Sequence, residues 1–185
     1  MDILKISYNN LNAISKISEV LRDIVNEDTL IVCIGSDRVL ADSLAPMIGS
    51  ILEKSTIRNK IFGVLGDSIH ALNLEQKIQA IKNNYPNSNI IAIDACISKI
   101  SDKGTIIISN KPVKPGLGVD KKLLEVGDYS IVGIIGRNKY DIYDTSDPEL
   151  ILDLADVISK SLISILLEKE ERMIVWYRKS DKKYY

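Results

Sequence analysis

Five short runs in this chain, Leu30–Ile34, Ile61–Leu65, Asn89–Asp94, Gly104–Ser109 and Tyr129–Ile135, are apolar almost throughout and rich in β-branched residues. A strand that alternates apolar and polar residues can leave one face in water. A run without alternation has to be covered on both faces. The segments that supply the cover carry apolar residues at helical spacing. Leu11 to Val25 places Leu11, Ile14, Ile17, Val20, Leu21 and Ile24 on one stripe. Asp42 opens a second helical segment, to about Lys54, with Pro46 still in its first turns, where a missing N–H costs least. Asn73 starts a third, ended by Asn83-Asn84-Tyr85-Pro86, and the last runs from Asp147-Pro148 to about Lys169.

Strands that alternate with helices predict a mostly parallel sheet between two helical layers. The third and fourth strands are joined by only about nine residues, Ala95 to Lys103, too few for a usual parallel crossover. One strand is therefore expected to run antiparallel. The expected fold is a three-layer α/β/α sandwich with a mixed, mostly parallel five-stranded sheet. With no repeat and no linker in its 185 residues, the chain reads as one domain, and residues 170–185 as a polar, aromatic tail.

Composition narrows the function. With 24 Lys and Arg against 25 Asp and Glu, the chain lacks the basic excess of a nucleic-acid binder. The N-terminus has an acid at Asp2 and no apolar run of secretory length, and no stretch reaches the roughly 18 apolar residues of a bilayer span. Cys33 and Cys96 lie in apolar surroundings, as reduced cysteines do in the cytosol. A cytoplasmic protein with no membrane and no nucleic-acid partner is expected, and self-association is compatible with the sequence. One His and two Cys cannot close an ordinary structural zinc site, which points any catalysis towards carboxylates.

Open α/β sheets gather functional groups beyond the carboxyl ends of their strands, where strand order reverses. Two loops qualify: Gly35–Ser43 after the first run, with Asp37 and Asp42, and Asp94-Ala95-Cys96 at the end of the third. If those strands are neighbours, carboxylates about fifty residues apart in sequence meet in one crevice. Close carboxylates cannot all ionise freely, so one becomes an acid and the other a base. Alternatively the pair holds a divalent cation that activates water. The bland reading makes Asp42 a helix N-cap, pairs Asp37 with Arg38 or another base, and makes Asp94 a turn former. His70, the only histidine, is either a third polar group of the crevice or a structural cap of the next helix. Cys96 lies near enough for a nucleophile, with His70 as the only available imidazole. Within the Pro/Gly-rich loop Lys111–Gly118, the segment Lys114–Gly118 is not a phosphate-binding loop, and is expected as a rim or flap over the site.

Several blocks in register carry a family resemblance: Ile34-Gly35-Ser36-Asp37-Arg38, Asp42-Ser43-Leu44-Ala45-Pro46, His70-Ala71-Leu72-Asn73-Leu74, Ile91-Ala92-Ile93-Asp94-Ala95-Cys96, Lys114-Pro115-Gly116-Leu117-Gly118-Val119 and Val126-Gly127-Asp128. Together they resemble the YyaC family of sporulation proteins, which is similar to the spore germination protease and, more distantly, to the HybD-like endopeptidases that mature nickel–iron hydrogenases. The resemblance implies a phosphorylase/hydrolase-like fold and a peptidase-like hydrolase of a spore-forming bacterium acting on a protein or peptide. Its catalytic pair would be Asp42 and Asp94, with Asp37, Arg38, His70 and Cys96 as binding candidates. In the hydrogenase enzymes the equivalent pair, with a histidine, engages the nickel centre of the substrate. No cofactor follows with certainty beyond a divalent metal at the carboxylate pair as one of the two routes. Ala41 and Ala45 stand where the resemblance leads one to expect glycines, and Gly136-Arg137-Asn138 also departs from it. A non-catalytic binding or regulatory domain of sporulation that keeps the fold is the alternative.

Overall fold

The apolar runs pair with one another in a computed structural model of the chain, which describes residues 1–116, 123–138 and 147–180, with side chains as far as residue 172. The elements are β1 (Asp2–Ser7), α1 (Ala13–Arg22), β2 (Leu30–Cys33), a 3-10 turn (Leu40–Ser43), α2 (Leu44–Glu53), β3 (Ile61–Phe62), α3 (Leu74–Asn84), β4 (Ile90–Ile97), β5 (Thr105–Ser109), β6 (Tyr129–Gly136) and α4 (Pro148–Ser180). The six strands form one sheet in the order β1-β5-β6-β4-β2-β3. β6, β4, β2 and β3 pair in parallel, while β5 is antiparallel to both of its neighbours. The single reversed strand is the one that the short Ala95–Lys103 connection requires.

Period-two alternation divides the core into two clusters. Ile31 and Cys33 of β2, with Ile91 and Ile93 of β4, face α1, α2 and α4. Leu30 and Val32, with Ile90 and Ala92, face Leu74, Ile78 and Ile81 of α3. Each fully buried isoleucine or leucine contributes about 1.5–3 kcal/mol of transfer free energy, so coverage on both faces decides the architecture. The fold is the expected α/β sandwich with a mixed sheet and four helices.

Three expectations need correction. The sheet has six strands rather than five, because Asp2–Ser7 adds an edge strand to β5. That strand has one face towards solvent and only Ile6 wholly buried, so it lacks the continuous apolar run that marks the inner strands. The second run is a strand only over Ile61–Phe62, after which Gly63, at φ +83°, turns the chain away. A Cβ on Gly63 would overlap the Cys33 carbonyl, so only glycine allows this approach to β2. Finally, the Pro/Gly segment is not a flap over the carboxylates in its described part. β5 runs antiparallel and delivers it to the opposite edge of the sheet, where Val113 pairs with Val126 and packs with the α3 cluster. Residues 117–122 lie outside the described residues.

From residue 170 onward the chain continues α4 as far as Ser180, and residues 181–185 lie outside the described residues. Among the described residues, no helix is long and apolar enough to cross a membrane.

Candidate active site

The chain leaves β2 for β3 on one side and returns to β4 on the other, so β2 and β4 flank the point where strand order reverses. Their register pairs Cys33 with Ile93. Asp94 is therefore the first β4 residue beyond the end of β2, although β4 itself continues to Ile97 alongside β6. Asp94 thus lies inside a strand and not at its end, as its sequence position had suggested. Alternation puts it on the α3 face, after Ile90 and Ala92. Its carboxyl is buried and accepts the Ala95 amide at 2.9 Å.

Asp42 belongs to the 3-10 turn that precedes α2. Its Oδ2 accepts the Ser36 amide at 2.8 Å, and its own carbonyl shares that amide at 3.0 Å. The carboxyl is thus committed to the loop after β2 and does not cap α2, whose first residues receive no side-chain cap. Gly35 makes the arrangement possible: a Cβ there would overlap the Asp42 carbonyl.

The two carboxyls share an electrostatic environment. Burial pushes Asp42 up from 3.8 to about 6, against the opposing pull of the Ser36 N–H and of His70. Burial also pushes Asp94 well above the ordinary range, and the charge of Asp42 pushes it further. Asp42 therefore ionises first, and Asp94 holds its proton beside it.

His70 follows β3, next to Ile69, which pairs with Ile34 at the end of β2. Its Nδ1 accepts the Leu72 amide at 3.3 Å, so the proton of the neutral ring is on Nε2. The His70 amide donates to Asn73 Oδ1 at 2.8 Å, and its carbonyl accepts the Asn73 and Leu74 amides. The residue thus builds the entry to α3 and lies near enough to Asp42 to act on its charge.

The other candidates are placed differently. Asp37 is exposed, and its Oδ2 accepts the Gly66 amide at 3.1 Å, tying the β2 and β3 loops together. Arg38 is exposed beside it, its amide bonded to Ser36 Oγ at 3.2 Å. Cys96 is half-buried and donates to the Ile97 carbonyl. Burial, with the neighbouring Asp94, pushes its thiol up to about 11, the opposite of what a thiolate nucleophile needs. Among the described residues no three His, Cys, Asp or Glu side chains converge as a metal-ligand set. Sequence reasoning found the carboxylates but missed Gly35 and the Ser36 amide. A glycine that stops an apolar run was the available signal.

Residues 5–161 match the model of a family described as protein of unknown function DUF1256. The chain belongs to this family. It is 36% identical to YyaC of Bacillus subtilis (strain 168) over 150 residues, covering 79% of this chain and 73% of that one. Its fold is similar to that of the [NiFe] hydrogenase maturation protease HycI from Thermococcus kodakarensis KOD1. That likeness has a TM-score of 0.54 at 19% identity and covers 80% of this chain and 98% of the other.

Proposed function

We propose that this DUF1256 member is a peptidase-like hydrolase in which Asp42 and Asp94 divide the proton transfers of peptide-bond cleavage. The observation that carries the reading is the meeting of buried Asp94 and half-buried Asp42 at one switch point, where the charge of Asp42 raises the proton affinity of Asp94. Ionised Asp42 takes a proton from the attacking water as general base. Protonated Asp94 gives its proton to the leaving amine as general acid. Each such transfer typically contributes about 10²–10⁴-fold in rate. His70 lies near enough to Asp42 to favour its ionised form.

A protein-fold likeness to a maturation protease supports a peptide or protein substrate. The finer reading, a role in sporulation, rests on the resemblance of the sequence blocks to sporulation proteins.

The test is to incubate the purified chain and its Asp94→Asn variant with proteins extracted from dormant spores and to identify new N-termini by mass spectrometry. Cleavage sites produced by the wild type and lost in the variant are expected. Equal cleavage by both would remove Asp94 from the chemistry, and cleavage by neither would favour a non-catalytic binding domain.

A further inference from the structure

Three consecutive backbone amides at the end of β2 each hold a different piece of the site. The Ile34 N–H donates to the Ile93 carbonyl at 2.8 Å, immediately before Asp94. The Gly35 N–H donates to the Ile69 carbonyl at 2.8 Å, immediately before His70. The Ser36 N–H donates to Asp42 itself, at 2.8 Å to Oδ2 and 3.0 Å to the carbonyl. Successive amides of an extended chain point to opposite sides. Ile34 accordingly reaches β4, and Gly35 reaches the segment after β3. The third amide lies beyond the last strand pairing and is taken by the turn that carries Asp42.

We propose that Ile34-Gly35-Ser36 is the positioning element of the site, a backbone clamp that fixes Asp94, His70 and Asp42 relative to one another, with Gly35 as its obligatory centre. This rests on the hydrolase reading for its catalytic meaning, but the clamp is a property of the fold and can be tested without a substrate. Three residues brought from a strand, a 3-10 turn and a loop need a common reference, because a displacement of about 1 Å at a catalytic group can cost about 10²-fold in rate. Backbone amides supply that reference without the rotamer freedom of side chains. Gly35 is obligatory on geometry: besides overlapping the Asp42 carbonyl, an added Cβ would stand 3.2 Å from Pro46 Cδ. Any side chain at this position forces the Asp42 turn away from Ser36.

The experiment is a pH titration followed by NMR, reading the Ser36 amide proton. In the wild type it is expected to shift with the ionisation of Asp42, at a midpoint of about 6. Gly35→Ala is expected to abolish that response. Gly127→Ala is the matched control. Gly127 is at φ +94° with a Cβ position only 2.7 Å from the Tyr129 carbonyl, but lies at the opposite edge of the sheet. It should lower stability and leave the Ser36 response in place. A Gly35→Ala protein with the wild-type Ser36 response, or a Gly127→Ala protein that loses it equally, overturns the proposal. Should Gly35→Ala fail to fold, Asp42→Asn supplies the reading: the Ser36 shift must lose its pH dependence, and its persistence overturns the clamp. Absence of cleavage activity alongside intact titration coupling counts against the hydrolase and not against the clamp.

Discussion

The charge on Asp42 raises the proton affinity of Asp94, so two carboxyls of the same residue type lose their protons in sequence rather than together. The order follows from their surroundings. Asp42 keeps the Ser36 N–H and the influence of His70, both of which favour its ionised form. Asp94 lies deeper and, among the described residues, accepts only the adjacent Ala95 amide. A general-base role for Asp42 and a general-acid role for Asp94 therefore predict a bell-shaped dependence of cleavage on pH. Its rising limb should fall at about pH 6, where Asp42 ionises, and its falling limb at higher pH, where Asp94 releases its proton. Asp94→Asn should reduce the rate by about 10²–10⁴-fold and remove the falling limb. Initial rates across pH 4–10 (roughly, the span that brackets both limbs) check this.

The same shift predicts a stability effect of known sign. A carboxyl that titrates at 3.8 when unfolded and at about 6 when folded binds protons more readily in the native state between those values. Stability therefore falls as pH rises through that window and stays lower above it. Asp42→Asn removes the buried charge while its amide oxygen still accepts the Ser36 N–H. The variant should be more stable than the wild type above pH 6 by on the order of 2 kcal/mol, with the difference disappearing towards pH 4. Urea unfolding at several pH values measures it, and a variant less stable at neutral pH would contradict the assigned burial of charge.

How much of this was legible in the sequence depended on what kind of signal each part carries. Leu30–Cys33 and Ile90–Ile93 are buried on both faces, and an unbroken apolar run announces that condition directly. Asp2–Ser7 is an edge strand with Ile3 and Lys5 exposed, so its pattern is diluted by solvent. The juxtaposition of Asp42 and Asp94 followed from strand order at a switch point, a rule of topology. The burial that sets their proton affinities is a property of packed neighbours, which spacing does not encode. The rim expected of Lys114–Gly118 is not met in its described part, residues 114–116, for a similar reason. Composition shows that the segment is a loop, but the direction of β5 decides at which edge of the sheet it lies.

Cys96 offers a test of the local dielectric that needs no substrate. Its thiol is raised to about 11 by burial and by the adjacent Asp94, so at neutral pH it is almost wholly protonated. Alkylation by iodoacetamide in the native protein should be slower than that of a free cysteine thiol by about 10²-fold at pH 7.5, from the thiolate fraction alone. Cys33, buried and pushed up further, should stay unmodified until the protein unfolds. Rapid alkylation of Cys96 at neutral pH, followed by peptide mass mapping, would reopen its candidacy as a nucleophile.

Asp147 gives a prediction remote from the site, at the start of the longest helix. Its Oδ1 accepts the Leu150 amide at 3.1 Å, and its Oδ2 meets Lys103 Nζ at 3.0 Å. The first contact satisfies one of the donors that a helix N-terminus leaves open. The second ties α4 to the turn between β4 and β5 through an exposed ion pair, which contributes little by itself. The Leu150 amide and then Lys103 hold this carboxyl below the ordinary range, so its contribution is present at neutral pH and fades as pH falls through the lowered value. Asp147→Ala should cost about 1 kcal/mol at pH 7 and progressively less under acid conditions. Asp147→Ser, which keeps a capping oxygen and loses the charge, should recover most of that at neutral pH. Denaturation midpoints for the three proteins at pH 7 and below pH 4 decide the matter. An alanine variant as destabilised in acid as at pH 7 would show that a neutral contact, and not the ionised cap, secures the start of α4.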